Sequence, residues 1–230
     1  MEVTTTRDAW QIRARPMQFL FDFLSPYAYL AWSRIHDVAA RAGREVEPVP
    51  VVFAGLLGAH GTRGPAEIDA KRRYLARDVL RIASAWDVPM AAPRALPFRS
   101  LGALRLASID MDRATRRALI DRVFAGAWAR GEDVADPETL AVIAREVGLG
   151  ADALARAESL EVKASLRRAT DDAIAAGVFG VPTILVDGEM FWGCDSLPHL
   201  ERFLAGELAV DPEVLAAFDV VPVGARRSGA

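Results

Sequence analysis

Phe19-Leu20-Phe21-Asp22-Phe23-Leu24-Ser25-Pro26-Tyr27-Ala28-Tyr29-Leu30 passes from an apolar, aromatic run straight into a helix start. The run, interrupted only by Asp22 and preceded by Pro16, predicts a short buried strand. Ser is a preferred N-cap and Pro is favoured at the first helical position, where its missing N–H costs nothing, so Ser25-Pro26 predicts the switch. Tyr27, Leu30, Ala31, Arg34, Ile35 and Val38 then follow helical spacing, with Gly43 as the C-terminal stop. Ser25 therefore stands at a helix N-terminus, where unpaired amides and the helix dipole favour an anion, a thiolate included. Its hydroxyl can serve as the helix cap, donate a hydrogen bond to that anion, or do both.

Outward from this stretch, residues 45–53 (Glu-Val-Glu-Pro-Val-Pro-Val-Val-Phe) alternate and are β-branched, which predicts a second strand. Pro48 and Pro50 restrict it to a sheet edge or give it irregular ends. The glycine-rich run 55–64 reads as a loop or short helical turn. From Pro65 to about Ala176 the composition shifts to Ala, Arg, Leu and Glu with 3.6-residue periodicity, predicting helices near 66–86, 100–110, 112–130, 137–146, 150–157 and 159–176. Strand character returns at Val181-Pro182-Thr183-Ile184-Leu185-Val186 and, across the hairpin signal Asp187-Gly188, at Glu189-Met190-Phe191-Trp192. A helix at 196–204 capped by Asp195 or Ser196 and a short helix at 211–218 close the chain. The order implies a four-stranded sheet interrupted by a helical insertion, with a right-handed β–α–β crossover at its start.

The chain has 230 residues, 52% of them apolar, and a formal net charge of −3 from 28 basic and 31 acidic side chains. With no basic stripe or polybasic run, it is not expected to bind nucleic acid or a membrane surface. One cysteine, Cys194, rules out an intrachain disulfide and any multi-cysteine metal centre. The three histidines, His36, His60 and His199, are scattered without metal-ligand spacing and read as solvated surface residues, so no metal is expected. Residues 1–15 lack the apolar run of a secretory signal, and no stretch approaches a membrane span. A cytoplasmic protein is the expectation.

Phe21-Asp22-Phe23-Leu24-Ser25-Pro26-Tyr27-Ala28-Tyr29, Gly177-Val178-Phe179-Gly180-Val181-Pro182-Thr183 and Asp187 to Asp195 together resemble the DsbA-like thioredoxin superfamily. Within it the chain is similar to 2-hydroxychromene-2-carboxylate isomerases and the related kappa-class glutathione transferases, over about residues 17–204. The resemblance implies an α/β, thioredoxin-like fold with a large inserted all-helical domain. It divides the chain into an N-terminal arm (1–16), a thioredoxin-like domain (17–64 and 177–204), a helical insert (65–176) and a C-terminal tail (205–230). Disulfide-exchanging relatives carry Cys-x-x-Cys at the strand-to-helix turn; Ser25-Pro26-Tyr27-Ala28 has no thiol there, so dithiol chemistry at that turn is impossible.

The resemblance further implies glutathione as cofactor, with Ser25 holding and activating its sulfur as the catalytic residue. A free thiol is mostly protonated at neutral pH, and a hydrogen bond at a helix N-terminus lowers its pKa. Sequence alone predicts a trans Val181–Pro182 bond; the resemblance implies a cis proline facing the helix, with the Val181 backbone pairing with glutathione as an added strand does. By the same resemblance Asp195 binds the ammonium of the γ-glutamyl end, with helix capping as its other role. Lys71 meets the glycine carboxylate or belongs to a solvated helix face, and Thr62 and Cys194 replace residues that are usually Asn and polar in relatives. Tyr27, Trp86, Phe98 and Trp192 are expected to wall an apolar substrate pocket. Arg99 is placed either on a substrate carboxylate or in a surface ion pair.

Such a site implies an isomerase in which the thiolate adds reversibly to a small aromatic carboxylate of a catabolic pathway, allows rotation, and leaves. A kappa-like transferase conjugating an apolar electrophile, and a non-enzymatic DsbA-like binding module, are the alternatives. A homodimer is expected by resemblance.

Overall fold

The computed structural model describes residues 16–222 and 224 of the chain. Its first strand, β1 (Met17–Phe21), and first helix, α1 (Pro26–Arg41), lie where the aromatic run and the Ser-Pro pair predict them. Ser25 is the N-cap of α1, its hydroxyl accepting the Ala28 amide at 3.2 Å. The helix terminates at Ala42, and Gly43 follows at φ +63, a conformation that costs glycine little.

β2 (Val46–Pro50) pairs parallel with β1, while β3 (Thr183–Val186) pairs antiparallel with β1 and with β4 (Glu189–Trp192), giving the order β2-β1-β3-β4. β2 is thus an edge strand, the position in which Pro48 and Pro50 are tolerated. At the β3–β4 hairpin both turn residues, Asp187 (φ +50) and Gly188 (φ +88), are left-handed, as the tight turn between right-twisted strands requires.

Between β2 and β3 run α2 (Phe53–Ala59), α3 (Asp69–Ala85), α4 (Leu101–Ala107), α5 (Arg113–Phe124), α6 (Pro137–Glu146), α7 (Ala153–Ala157) and α8 (Leu160–Ala175). α9 (Leu197–Leu204) and α10 (Pro212–Asp219) follow β4. Several elements depart from their expected bounds: α4 ends at Ala107 and not near 110, and α7 begins at Ala153 and not at 150. The helix foreseen from 66 begins at Asp69 after a separate 3-10 turn at Pro65–Glu67, because the Glu67 carboxylate folds back to accept the Gly64 amide at 2.8 Å. The helix foreseen over 112–130 stays α-helical only to Phe124 and widens into a π-turn at Ala125–Ala129. That widened turn presents the buried Trp128, whose indole N–H donates to the Phe23 carbonyl at 2.8 Å.

Both faces of β1 are covered. Met17, Phe19 and Phe21 enter the larger core with α1 and the helical block, and Leu20 enters a smaller one with Val51, Leu56, Ala173 and Val178. The aromatic centre of the larger core joins distant segments: Phe23 and Phe124 are 4.9 Å apart between ring centroids, Phe21 and Phe124 5.7 Å, and Phe19 and Trp32 5.3 Å. α1 is tied to the helical block through polar tips as well, Trp32 to Asp121 (2.6 Å) and Tyr29 to the Pro89 carbonyl (2.8 Å). The turn that carries Ser25 is therefore clamped from both sides.

One histidine differs from the surface role expected of it. His36 is half-buried edge-on to Trp32 at 4.5 Å, and burial lowers its pKa to about 4; His60 is exposed, with its Nε2 3.0 Å from the Val178 carbonyl. Every residue of α10 is exposed, including Val214, Leu215 and Phe218. The expected N-terminal arm, apart from Pro16, and the end of the tail (223 and 225–230) lie outside the described residues. Among the described residues no helix is long and apolar enough to cross a membrane.

Candidate active site

The end of β1 and the start of α1 meet the loop that leads into β3. Ser25 is buried there, its amide bonded to the Asp22 carbonyl at 3.0 Å. Its hydroxyl accepts the Ala28 amide and donates to the Val181 carbonyl, both at 3.2 Å. The Val181–Pro182 bond is cis, as the family resemblance and not the bare sequence had it. The loop is held by the Thr183 hydroxyl on the Gly180 carbonyl (2.7 Å) and by the Gly193 amide on the Pro182 carbonyl (2.9 Å). A hydroxyl so placed has one proton to give, and rotation about its C–O bond can redirect that proton to an anion at the helix end.

Above Ser25 opens a cavity of about 710 Å³. Leu24, Ser25 and Tyr27 form part of its wall, Phe53 and Leu57 of α2 another, and Phe98 a third. Phe179 and Trp192, with ring centroids 5.0 Å apart and both exposed, stand at its rim beside Val181. Thr62, Arg63, Glu67 and Lys71 bring its polar and charged groups. The Arg63 guanidinium donates to the Glu67 carbonyl at 3.0 Å, and the Glu67 carboxylate accepts the Gly64 amide. A largely apolar cleft with a few polar groups and two cations against one carboxylate can take an amphiphilic anion.

Seven of the expected residues therefore share this cavity: Ser25, Tyr27, Thr62, Lys71, Phe98, Val181 and Trp192. The Tyr27 hydroxyl is already committed, donating to Asp78 Oδ2 at 2.8 Å, and burial with that carboxylate pushes its pKa up, so it stays neutral. Pro182 is buried behind Val181. Cys194 is buried, and burial followed by the neighbouring Asp195 pushes its thiol up to about 12, which makes it a small apolar side chain at neutral pH. Asp195 lies exposed in the 3-10 turn Cys194–Ser196 and does not line the cavity. Nor does it cap α9: the N-cap is Ser196, whose hydroxyl turns back to the Gly193 carbonyl at 2.8 Å.

Trp86 and Arg99 are not brought to the cavity. Trp86 closes the C-terminal end of α3 beneath the Arg34 guanidinium, 5.9 Å from its ring, and Arg99 is exposed and does not line the cavity. Arg63, which the sequence reading passed over, lines the cavity instead. The only signal for it was adjacency to Thr62.

Asp22 was also passed over. Its carboxylate is 1% exposed, and burial raises its pKa to about 6 against the opposing hydrogen bonds of Ser100, Phe53 and Leu24. A carboxyl whose folded pKa exceeds its unfolded one contributes most at low pH, and that contribution disappears as pH rises from the unfolded value through the folded one. Relative to Asp22→Asn, the wild type is expected to lose roughly 3 kcal/mol of stability between about pH 4 and about pH 7. Urea unfolding of both proteins across that range measures it; a constant difference contradicts the raised pKa.

The model of the DSBA-like thioredoxin domain matches residues 17–205. A 2-hydroxychromene-2-carboxylate isomerase of Sphingobium xenophagum is 33% identical over 193 residues, covering 83% of this chain and 98% of the relative. Glutathione S-transferase kappa 1 of Rattus norvegicus is 27% identical over 217 residues, covering 86% and 94%. Among solved structures, a 2-hydroxychromene-2-carboxylate isomerase superposes with a TM-score of 0.78 at 25% identity, covering 90% of this chain and all (100%) of the other.

Proposed function

Because the chain belongs to the DSBA-like thioredoxin family, and within it to the 2-hydroxychromene-2-carboxylate isomerases, we propose that it is a glutathione-dependent cis–trans isomerase of 2-hydroxychromene-2-carboxylate or a similar aromatic carboxylate. The observation that carries this reading is the Ser25 hydroxyl, set at the N-terminus of α1, 3.2 Å from the Val181 carbonyl and open to a largely apolar cavity.

The residues present fit glutathione. Val181 lies before the first residue of β3, and its backbone suits a peptide-like partner lying alongside. Lys71 offers a cation for the glycine carboxylate, and Asp195, with no capping bond of its own, offers a carboxylate for the ammonium. When bound, glutathione would supply a nucleophilic thiolate, the group that reversible addition to a conjugated substrate, and hence rotation about its former double bond, requires. Ser25 would lower the free energy of that thiolate by donating a hydrogen bond to the sulfur while keeping its proton, and the positive end of α1 acts in the same direction. Phe53, Leu57, Phe98 and Trp192 hold an aromatic ring and exclude water from it. Arg63 takes the role first given to Arg99, that of meeting the substrate carboxylate.

Two measurements test the reading. Glutathione at about 100 times its dissociation constant stabilises by about 2.7 kcal/mol, so the melting temperature is expected to rise by several degrees in the wild type and not in Asp195→Ala. Absence of a shift in the wild type sinks the glutathione assignment. Arg63→Met is expected to raise KM for a carboxylate substrate by roughly 10- to 100-fold, the loss of one charge-assisted hydrogen bond, and to leave the glutathione shift intact. Arg99→Met is expected to change neither.

The kappa-transferase reading has the rat relative in its favour. Mass spectrometry of the small-molecule products separates the two: an isomerase returns free glutathione and an isomer of the substrate, a transferase leaves a stable conjugate.

A further inference from the structure

Asp22 is the only carboxylate among the buried side chains of the described residues. Its Oδ1 accepts the Leu24 amide at 3.2 Å and its Oδ2 the Phe53 amide at 3.0 Å. The buried Ser100 side chain is the third polar group beside it and favours its ionised form, and Ser100 makes no side-chain cap for α4. These partners belong to three separate segments. Leu24 leads directly into Ser25, Phe53 begins α2, and Ser100 begins α4 just after Phe98. Each of those segments supplies a wall of the cavity, through Leu24 to Tyr27, through Phe53 and Leu57, and through Leu96 to Phe98.

We propose that Asp22 is a positioning residue of the active site: its carboxylate gathers the Ser25 turn, the start of α2 and the start of α4 onto one point and so sets the shape of the cavity around the Ser25 hydroxyl. An ionised carboxylate suits this because it only accepts, and both oxygens together can take all three donors. The protonated form must donate one hydrogen, and only Ser100 can reverse its role to receive it. Among the described residues no cationic side chain pairs with this carboxyl; burial raises its pKa, and Ser100 and the two amides oppose that rise. Above the pKa the three segments share a full set of bonds, and below it the set is altered. A buried carboxylate without a cation is a costly way to hold a fold together, which points to the site it organises.

The consequence for catalysis rests on the glutathione reading; the gathering of the three segments does not. The first arm therefore uses the protein alone. In a pH titration followed by amide and side-chain carboxyl NMR, the Leu24, Phe53 and Ser100 signals are expected to move on one curve with the Asp22 carboxyl, and to stop moving in Asp22→Asn. The second arm measures turnover. Asp22→Asn is expected to lower kcat about 10- to 100-fold with KM for glutathione nearly unchanged, and to remove from the pH profile of kcat the limb that Asp22 contributes. Ser100→Ala, which keeps the carboxylate, is expected to reproduce a smaller part of the loss. Amides that titrate independently of the Asp22 carboxyl, or an Asp22→Asn protein with wild-type kcat and an unaltered pH profile, overturn the proposal. A wild type without glutathione-dependent turnover overturns the functional reading instead, and the first arm still decides on Asp22.

Discussion

Replacing Ser25 by alanine is expected to reduce kcat by about 100- to 1,000-fold, the usual cost of removing one preorganised donor aimed at a developing or bound anion. KM for glutathione is expected to change far less, because in the proposed binding mode the peptide-like contacts along Val181 and the charges at Lys71 and Asp195 would lie apart from the sulfur. The apparent pKa of the bound thiol should rise toward the ordinary value of about 8.5, so the variant loses most at neutral pH and recovers part of its rate as pH increases. Ser25 also caps α1 and bridges to the Val181 carbonyl. Losing the cap costs about 1 kcal/mol and losing the bridge about as much again, which lowers the melting temperature by several degrees without unfolding the protein. Steady-state kinetics at several pH values, well below the melting temperature, separate the two effects. A kcat within about threefold of wild type removes Ser25 from the chemistry and leaves it a structural cap.

Trp128→Ala is expected to be the most destabilising single change near the site, costing about 3–5 kcal/mol because it empties a large buried volume. Trp128 is 2% exposed, lies 5.9 Å from the Phe98 ring, and bonds the Phe23 carbonyl from the π-turn. For a chain of this size that loss lowers the melting temperature by roughly 10 °C. Trp128→Phe keeps most of the volume and removes only the indole donor. It strands a carbonyl in the core at a cost of about 1–3 kcal/mol. Phe23 immediately precedes the Leu24–Ser25 turn, so the phenylalanine variant should also lose turnover at temperatures where it is fully folded. Urea denaturation and kcat measured on both variants test this. A phenylalanine variant with unchanged stability and unchanged kcat shows that the indole bond contributes to neither.

What is local in the fold was readable in advance. The strand-to-helix switch at Ser25-Pro26, the tight hairpin at Asp187-Gly188 and the edge position of β2 each follow from the conformational preferences of a few adjacent residues, and the structure has all three. Two of the altered helix bounds have a different origin. The 3-10 turn at Pro65–Glu67 depends on where the Glu67 carboxylate folds, and the π-turn at Ala125–Ala129 on where Trp128 packs, and neither disturbs the 3.6-residue periodicity enough to be seen.

The site divides along the same line. The sequence by itself determined that Ser25 stands at a helix N-terminus without a neighbouring thiol, because capping and the absence of cysteine are properties of single positions. Only the tertiary structure decided that Arg63 and not Arg99 reaches the cavity, that Trp86 covers Arg34 instead, and that Asp22 gathers Leu24, Phe53 and Ser100. These are relations between segments far apart in the chain, fixed by how the helical block packs against β1, and no short stretch of residues encodes them.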